Sequence, residues 1–302
     1  MRQGKRFTPA WIRRAIAEGR GLGTRSEYTP WHQIRRADPG SRGRSHLIKW
    51  RFGRHHHLLS DLEREVFAFA TMMPGVFDLR EQFPLARERA TVELAAYSAR
   101  YGQYVARGTT DIASMLGIRH PAVRLGTDRE LWVMSTDLVM AIGSQPDELS
   151  FLPISVKQAG EIMRGRVREL LSLEREYWHC RDGAWILVTP EQYQRQVAAV
   201  VVAALPWALS GSLLTEPMIC ACRRIAEEIE GMTLASACRF IAAAFNVQDM
   251  TAQQIFWKAV WAGAVPLDLN RWSLNLDPIR LLSPSAFWDQ NPVVSRRTSW
   301  IS

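Results

Sequence analysis

Cysteine is scarce. Cys180, Cys220, Cys222 and Cys238 make neither a disulfide ladder nor a C-x-x-C pair, so reduced thiols in a cytoplasm are expected. Long apolar runs are absent too. The longest, 197–209, holds 13 residues and includes Pro206, short of the roughly 20 a spanning helix needs, so a core helix and no membrane span are expected. Behind the basic start, MRQGKRFTPAW, no apolar stretch follows, and no secretory signal is read. Acid is missing from one region in particular. Residues 1–57 hold 14 Arg and Lys against Glu18, Glu27 and Asp38, a net +11, while the whole chain is +8, which leaves −3 for the other 245 residues.

Of those 14 cations 12 are arginine, whose planar fork suits phosphate oxygens, and Phe7, Trp11, Tyr28, Trp31, Trp50 and Phe52 are interleaved with them. This composition predicts a surface for a polyanion, with nucleic acid favoured over a solvated tail. Arg20, Arg42, Arg44, His46, Lys49, His56 and His57 are the candidate DNA contacts. The run His55–His57 lacks a Cys or an acid at finger spacing, so zinc is not expected. EGRGLG (18–23) has no strand before it and no GK[ST] after it, and reads as a turn closing a helix at Pro9–Ala17.

At 302 residues with 47% hydrophobic content the chain is long enough for two domains. Three parts are expected: a basic arm over 1–57, belonging to an N-terminal domain; a catalytic domain over 58–189; and a mostly helical domain over 190–302. LLSDLEREVFAFATMMPG reads as a helix. Ser60 and Glu63 form a capping box, Leu62, Val66, Phe69 and Ala70 make its stripe, and Pro74-Gly75 stop it. Strands are expected at 76–83, within 132–140 (WVMSTDLVM), within 152–159 (LPISVKQA) and at 183–189. A helix is expected over 167–180 whose buried stripe takes in Glu174. Residues 86–117, rich in Ala and Arg, predict one or two amphipathic helices outside the sheet.

Asp137 on one strand and Lys157 on the next, with Ser155 sharing the lysine's face, are polar groups that a plain core strand would not keep. Carboxylates and an ammonium are what magnesium-dependent phosphodiester cleavage requires. Spacing alone favours a structural ion pair. Glu63 and Glu174 belong to the same set, the first also explained as a cap and the second needing a partner once buried.

Taken together, GRGLG, YTPW (28–31), GRSH (43–46), HHLLSDLE (56–63), DLREQFPL (78–85), GIRHP (117–121), VMSTDL (133–138), Val156-Lys157 and LEREYW (173–178) resemble the TnsA family of transposon endonucleases, in order, over most of 15–190. The resemblance implies an α/β fold, a restriction-endonuclease-like mixed sheet flanked by helices. It implies a catalytic set of Glu63, Asp137 and Lys157 with Glu174 in support, and a Mg2+ cofactor, for which Mn2+ substitutes, held by Glu63, Asp137 and Ser155. Serine at 155 departs from the acid or glutamine usual there and weakens the metal site. The implied substrate is double-stranded DNA at transposon ends, cut on the 5′ strand. A TnsB-like companion transposase and a TnsC-like AAA+ regulator, docked on the C-terminal domain, are the implied partners. The alternatives are a stand-alone repair or junction-resolving nuclease and a non-catalytic DNA-binding scaffold. In the last third, helices are expected at 191–209, 216–230, 234–245 (capped by Thr233) and 252–261 (capped by Thr251), then a wing over 265–276, a winged-helix-like arrangement. The 252–261 helix, whose only charge is Lys258, reads as a protein-docking surface rather than a DNA reader.

Overall fold

The computed structural model describes residues 7–36, 38–39, 43–271 and 277–301. They form two compact units. The first comprises Met1–Glu63, Gly75–Thr189 and Ser299–Ser302, the second Arg64–Pro74 and Pro190–Thr298.

The first unit opens with helix α1 (Pro9–Ala17), begun by Thr8, whose hydroxyl accepts the Trp11 N–H at 3.2 Å, and by proline in the first turn. Its buried face is Trp11, Ile12 and Ala15. The glycine turn that follows is required sterically. Gly21 has φ +85° and lies so close to Pro84 that a Cβ would fall 2.0 Å from the ring. Strands β1 (His46–Lys49) and β2 (His55–Leu58) pair antiparallel. Helix α2 (Asp61–Thr71) follows, its first three residues counted with the first unit and the rest with the second. After it comes β3 (Val76–Pro84), a small ribbon of β4 (Ala90–Thr91) with β5 (Val105–Ala106), and helix α3 (Thr109–Met115). A second ribbon, β6 (Ala122–Leu125) with β7 (Asp128–Leu131), leads to β8 (Ser135–Ile142) and β9 (Ser150–Val156). Helices α4 (Ala159–Ile162) and α5 (Gly165–His179) precede β10 (Ile186–Val188).

The central sheet is mixed, in the order β3-β8-β9-β10: β8 is antiparallel to both β3 and β9, and β9 is parallel to β10. Burial on β8 and β9 is nearly continuous, so Val, Ile, Leu and Met runs outrank alternation. Trp178 of α5, fully buried, packs against Phe83, Phe151 and Tyr177 at centroid distances of 5.8, 5.8 and 5.4 Å.

Two expectations need correction here. Residues 86–117 are mostly not helical: one seven-residue helix, two 3-10 turns and a two-stranded ribbon take the place of amphipathic helices. Gly102 and Gly108 break the run, and Glu93 is drawn to the Tyr177 hydroxyl and the Arg181 guanidinium instead of a helical neighbour. The aromatics of the basic arm are not a stacking surface either. Trp11, Tyr28, Trp31 and Trp50 are 5%, 4%, 2% and 8% exposed and build core, because a segment this short must bury its large rings to stay folded.

The second unit is helical: α6 (Arg195–Ala208), α7 (Glu216–Ile229), α8 (Leu234–Phe245), α9 (Asp249–Trp261) and α10 (Pro284–Trp288). Thr233 caps α8 as expected, its hydroxyl accepting the Ser236 N–H at 3.3 Å. Thr251 is not a cap, since α9 starts at Asp249. Nor is α9 a docking face. Ile255, Phe256, Trp257, Ala259, Val260 and Trp261 are all buried, while the exposed part of the helix is its first turn, Asp249 to Thr251. Trp261 Nε1 donates to Thr71 Oγ1 at 2.9 Å, and Asn291 Nδ2 to the Phe69 carbonyl at 3.0 Å. Of the wing over 265–276, the described part shows one antiparallel bridge, Leu267 to Leu281, while 272–276 lie outside the described residues. Among the described residues no helix is long and apolar enough to cross a membrane.

Candidate active site

One cavity of about 700 Å³ in the first unit is lined by Glu63, Asp137, Lys157 and Glu174, with Arg44, Asp61, Pro121 and Trp132 on its walls. Glu63 comes from the first turn of α2. Its backbone N–H donates to Ser60 Oγ at 3.1 Å, and its carboxylate accepts from the Leu59 N–H at 2.8 Å and the Ser60 hydroxyl at 3.3 Å. The cap thus fixes the side chain. Asp137 lies just past the last β8–β9 pair, Leu138 with Ile154. There the Val156 N–H donates to Asp137 Oδ2 at 2.7 Å and Lys157 Nζ donates to the same oxygen at 3.0 Å. Lys157 Nζ also donates to the Val156 carbonyl at 2.8 Å.

Burial, and then the charge of Asp137, push Glu63 up to about 8. Burial works against the Lys157 ammonium, but Asp137 and then Glu174 outweigh it and hold its pKa above the usual lysine value. Glu174 is raised to about 7, by burial first, with Lys157 pulling it back.

Ser155 is turned to Glu174. Fully buried, it donates to Glu174 Oε1 at 2.6 Å and accepts from Trp185 Nε1 at 2.9 Å. Thr136 Oγ1 donates to the same glutamate oxygen at 2.6 Å and accepts from Trp178 Nε1 at 2.8 Å. Two tryptophans and two hydroxyls therefore anchor the acid on α5. The Ser155 hydroxyl is thus turned to Glu174 and Trp185, and Ser155 is not among the residues that line the cavity with Glu63 and Asp137.

Over 205 residues the chain is 36% identical to transposon Tn7 transposition protein TnsA of Escherichia coli, covering 68% of this chain and 64% of that protein. The chain belongs to the TnsA family. It spans a little under two thirds of that relative's length, and it matches no family model.

In this TnsA-family chain the donor set fits a divalent cation of the magnesium type. Among the described residues no three His, Cys, Asp or Glu side chains group as a metal site, so the protein offers the Glu63 and Asp137 pair. Mg2+ binds through one or two carboxylates and fills its remaining positions with water and phosphate oxygens, and a cation would offset both the burial and the charge of Asp137 that raise Glu63.

The TnsA-family basic arm divides into structural and exposed cations. Arg20, whose side chain is 0% exposed, donates to Asp38 at 2.6 and 3.0 Å, to Glu18 at 2.8 Å and to the Trp31 carbonyl at 3.1 Å, so it is withdrawn from the DNA-facing set. His56 is likewise internal, 1% exposed and bonded through Nδ1 to Glu81 at 2.8 Å. His57 accepts the Ile34 N–H at Nδ1, 2.9 Å, and burial lowers its pKa. Arg44 and Lys49 are exposed. Arg44 pairs with Asp61 at 3.0 Å, and His46 Nε2 meets the other oxygen of Asp61 at 2.8 Å. Arg42 lies outside the described residues.

Sequence reasoning missed Gln82. Its Nε2 donates to Glu63 Oε2 at 2.9 Å, and its backbone holds φ +49°, uncommon for a residue other than glycine. The signal was available: Arg80, Glu81 and Gln82 are consecutive polar residues in one apolar strand, and all three are buried. Glu81 takes the Arg54 fork at 2.8 Å on each oxygen. Burial alone would raise its carboxyl, yet His56 and Arg54 hold it far below the ordinary range.

Proposed function

We propose that this chain is the metal-dependent DNA endonuclease subunit of a heteromeric transposase, hydrolysing the phosphodiester at the 5′ ends of a transposon. The observation that carries the reading is the meeting of Glu63, Asp137 and Lys157 in one solvent-open cavity. Membership of the TnsA family supports the same assignment, and the mixed sheet bearing Asp137 and Lys157 supports a restriction-endonuclease-like fold. Glu63 and Asp137 would hold Mg2+, with Mn2+ as substitute, and the bound ion supplies Lewis-acid polarisation of the scissile phosphate. Lys157, kept as an ammonium by Asp137, is aimed where negative charge grows on the phosphate or where the attacking water sits. Glu174 supports the lysine through charge. Arg44, which lines the cavity, and His46, bonded to Asp61 of its wall, are assigned as phosphate contacts, with exposed Lys49 farther along the same strand and Arg42 assigned by sequence alone. The second unit, winged-helix-like in its helix order, is assigned to docking a TnsC-like AAA+ regulator, and a TnsB-like transposase would cut the other strand.

The test is strand cleavage of duplex DNA carrying a transposon end, with the companion proteins present. Asp137→Ala and Glu63→Gln are expected to lower the rate at least about a hundredfold, because each removes charge stabilisation in the transition state. DNA affinity should change little. Chelation with EDTA should abolish cleavage and added Mg2+ or Mn2+ restore it. Cleavage by Asp137→Ala at the wild-type rate would sink the assignment, and binding without cleavage in any divalent metal would leave the non-catalytic scaffold.

A further inference from the structure

The β6–β7 ribbon separates its charges by face. Directly opposite residues of an antiparallel pair share a face, and the register pairs Val123 with Glu130, Leu125 with Asp128, and Arg124 with Arg129. Every acid therefore lies on one side. Asp128 takes both guanidinium nitrogens of Arg13, at 3.2 and 2.6 Å, and Glu130 takes Arg87 and, at 3.7 Å, Arg13 again. Val123 of that side packs against the Trp11 and Trp31 cluster. Val123, Asp128 and Glu130 tie this face to the body of the unit, while Leu125 near the tip stays exposed.

The opposite face carries Arg124 and Arg129. Both are exposed, they stand directly across from one another, and among the described residues neither has a carboxylate partner. Like charges opposite each other destabilise a ribbon, so the pair is unexplained by folding. At its base the ribbon is closed by the Trp132 N–H donating to the Pro121 carbonyl at 2.9 Å. Pro121 and Trp132 also line the Glu63, Asp137 and Lys157 cavity. Arg119, exposed, adds a third cation just before that base.

We propose that the β6–β7 ribbon is a second DNA-contacting surface, on which Arg124 and Arg129 grip backbone phosphates where the duplex leaves the catalytic cavity. The proposal rests on the endonuclease reading above. A two-stranded ribbon is of a width that a DNA groove admits, paired arginines match phosphate oxygens through their forks, and the adjoining cavity is built for a phosphodiester. An acidic protein segment would need no such adjacency.

The experiment measures affinity of the full-length chain for a short blunt duplex over a series of NaCl concentrations, for wild type and the double variant Arg124→Ala with Arg129→Ala. Each phosphate contact contributes about 0.9 to the magnitude of the slope of log affinity against log salt. The double variant is expected to show a slope shallower by about 2. Its melting temperature should stay level or rise, since the repulsion is gone, which separates lost contact from lost folding. Wild-type affinity and slope in the double variant would overturn the ribbon assignment alone and turn attention to an acidic protein partner. Absence of salt-dependent binding by wild type would overturn both this inference and the endonuclease reading.

Discussion

Glu63 is at once a helix cap and a candidate catalytic group. Its bonds to Leu59 and Ser60 start α2, and the amide of Gln82 steadies the same carboxylate. The cap explains where the acid is; burial, and then the charge of Asp137, explain why it is costly there. Glu174 carries a comparable cost that is open to measurement. Its carboxyl sits at about 7 against an ordinary 4.5, so between those values the folded chain keeps a proton that the unfolded chain releases. Stability therefore falls as pH rises through that window, and the loss is complete above about 7. At about 1.4 kcal/mol per pKa unit, the penalty is about 3 kcal/mol. Glu174→Gln keeps an oxygen to accept from Thr136 and Ser155 and cannot ionise. Urea melts of the variant should gain on wild type by up to about 3 kcal/mol between pH 4.5 and 8, and a difference independent of pH would refute the buried-acid account.

At the scale of elements, an apolar pattern says that a helix is buried or docks, and does not say which. Helix α9 reads as a docking surface in sequence because Phe256, Trp257 and Trp261 outnumber its charges. In the structure these rings are interior, at 0%, 3% and 8% exposure, and Lys258 reaches back to the Ser212 carbonyl at 2.7 Å. Phe256→Ala is accordingly expected to lower stability of the second unit by about 3–5 kcal/mol, read by chemical denaturation. A loss below about 1 kcal/mol, with intact folding but lost partner binding, would restore α9 as a docking face. The same logic holds in the arm, where aromatics interleaved with arginine proved to be core and several arginines, Arg20 and Arg54 among them, proved to be their buried counter-ions' partners.

For the molecule as a whole, chain order and compact units do not coincide. Residues 64–74 belong with the second unit, and Ser299–Ser302 return to the first. The return is specific. The Ser299 N–H donates to the Leu187 carbonyl at 2.8 Å, its hydroxyl meets Thr189 Oγ1 at 2.6 Å, and Trp300 packs edge-on against Trp185 at 5.7 Å. Ending the chain at Thr298 removes both of these hydrogen bonds and the aromatic pair, together with the weaker contacts of Arg168 to Trp300 and Ile301. At roughly 1 kcal/mol apiece, the first unit should lose about 3 kcal/mol, seen as a lower melting temperature with Trp185 newly exposed to fluorescence quenchers. An unchanged melt would mean that the last residues are a passive tail.

The sequence by itself determined the elements whose cause is local. Periodicity and capping located α1, α2 and α8; β-branched and apolar runs located β3, β8 and β9; and the ordered TnsA-like stretches carried Glu63, Asp137, Lys157 and Glu174. Only the tertiary structure decided which polar groups meet. That Ser155 serves Glu174, that Gln82 serves Glu63, and that Arg20 and His56 face inward depends on residues 18 to 25 positions apart being brought within hydrogen-bond distance, and that Arg124 and Arg129 face out depends on the register of their ribbon. Composition counts charges without regard to partners. A buried arginine beside two carboxylates and an exposed one beside another arginine are the same letter in the chain, and burial with pairing makes the first structural and leaves the second available to a phosphate.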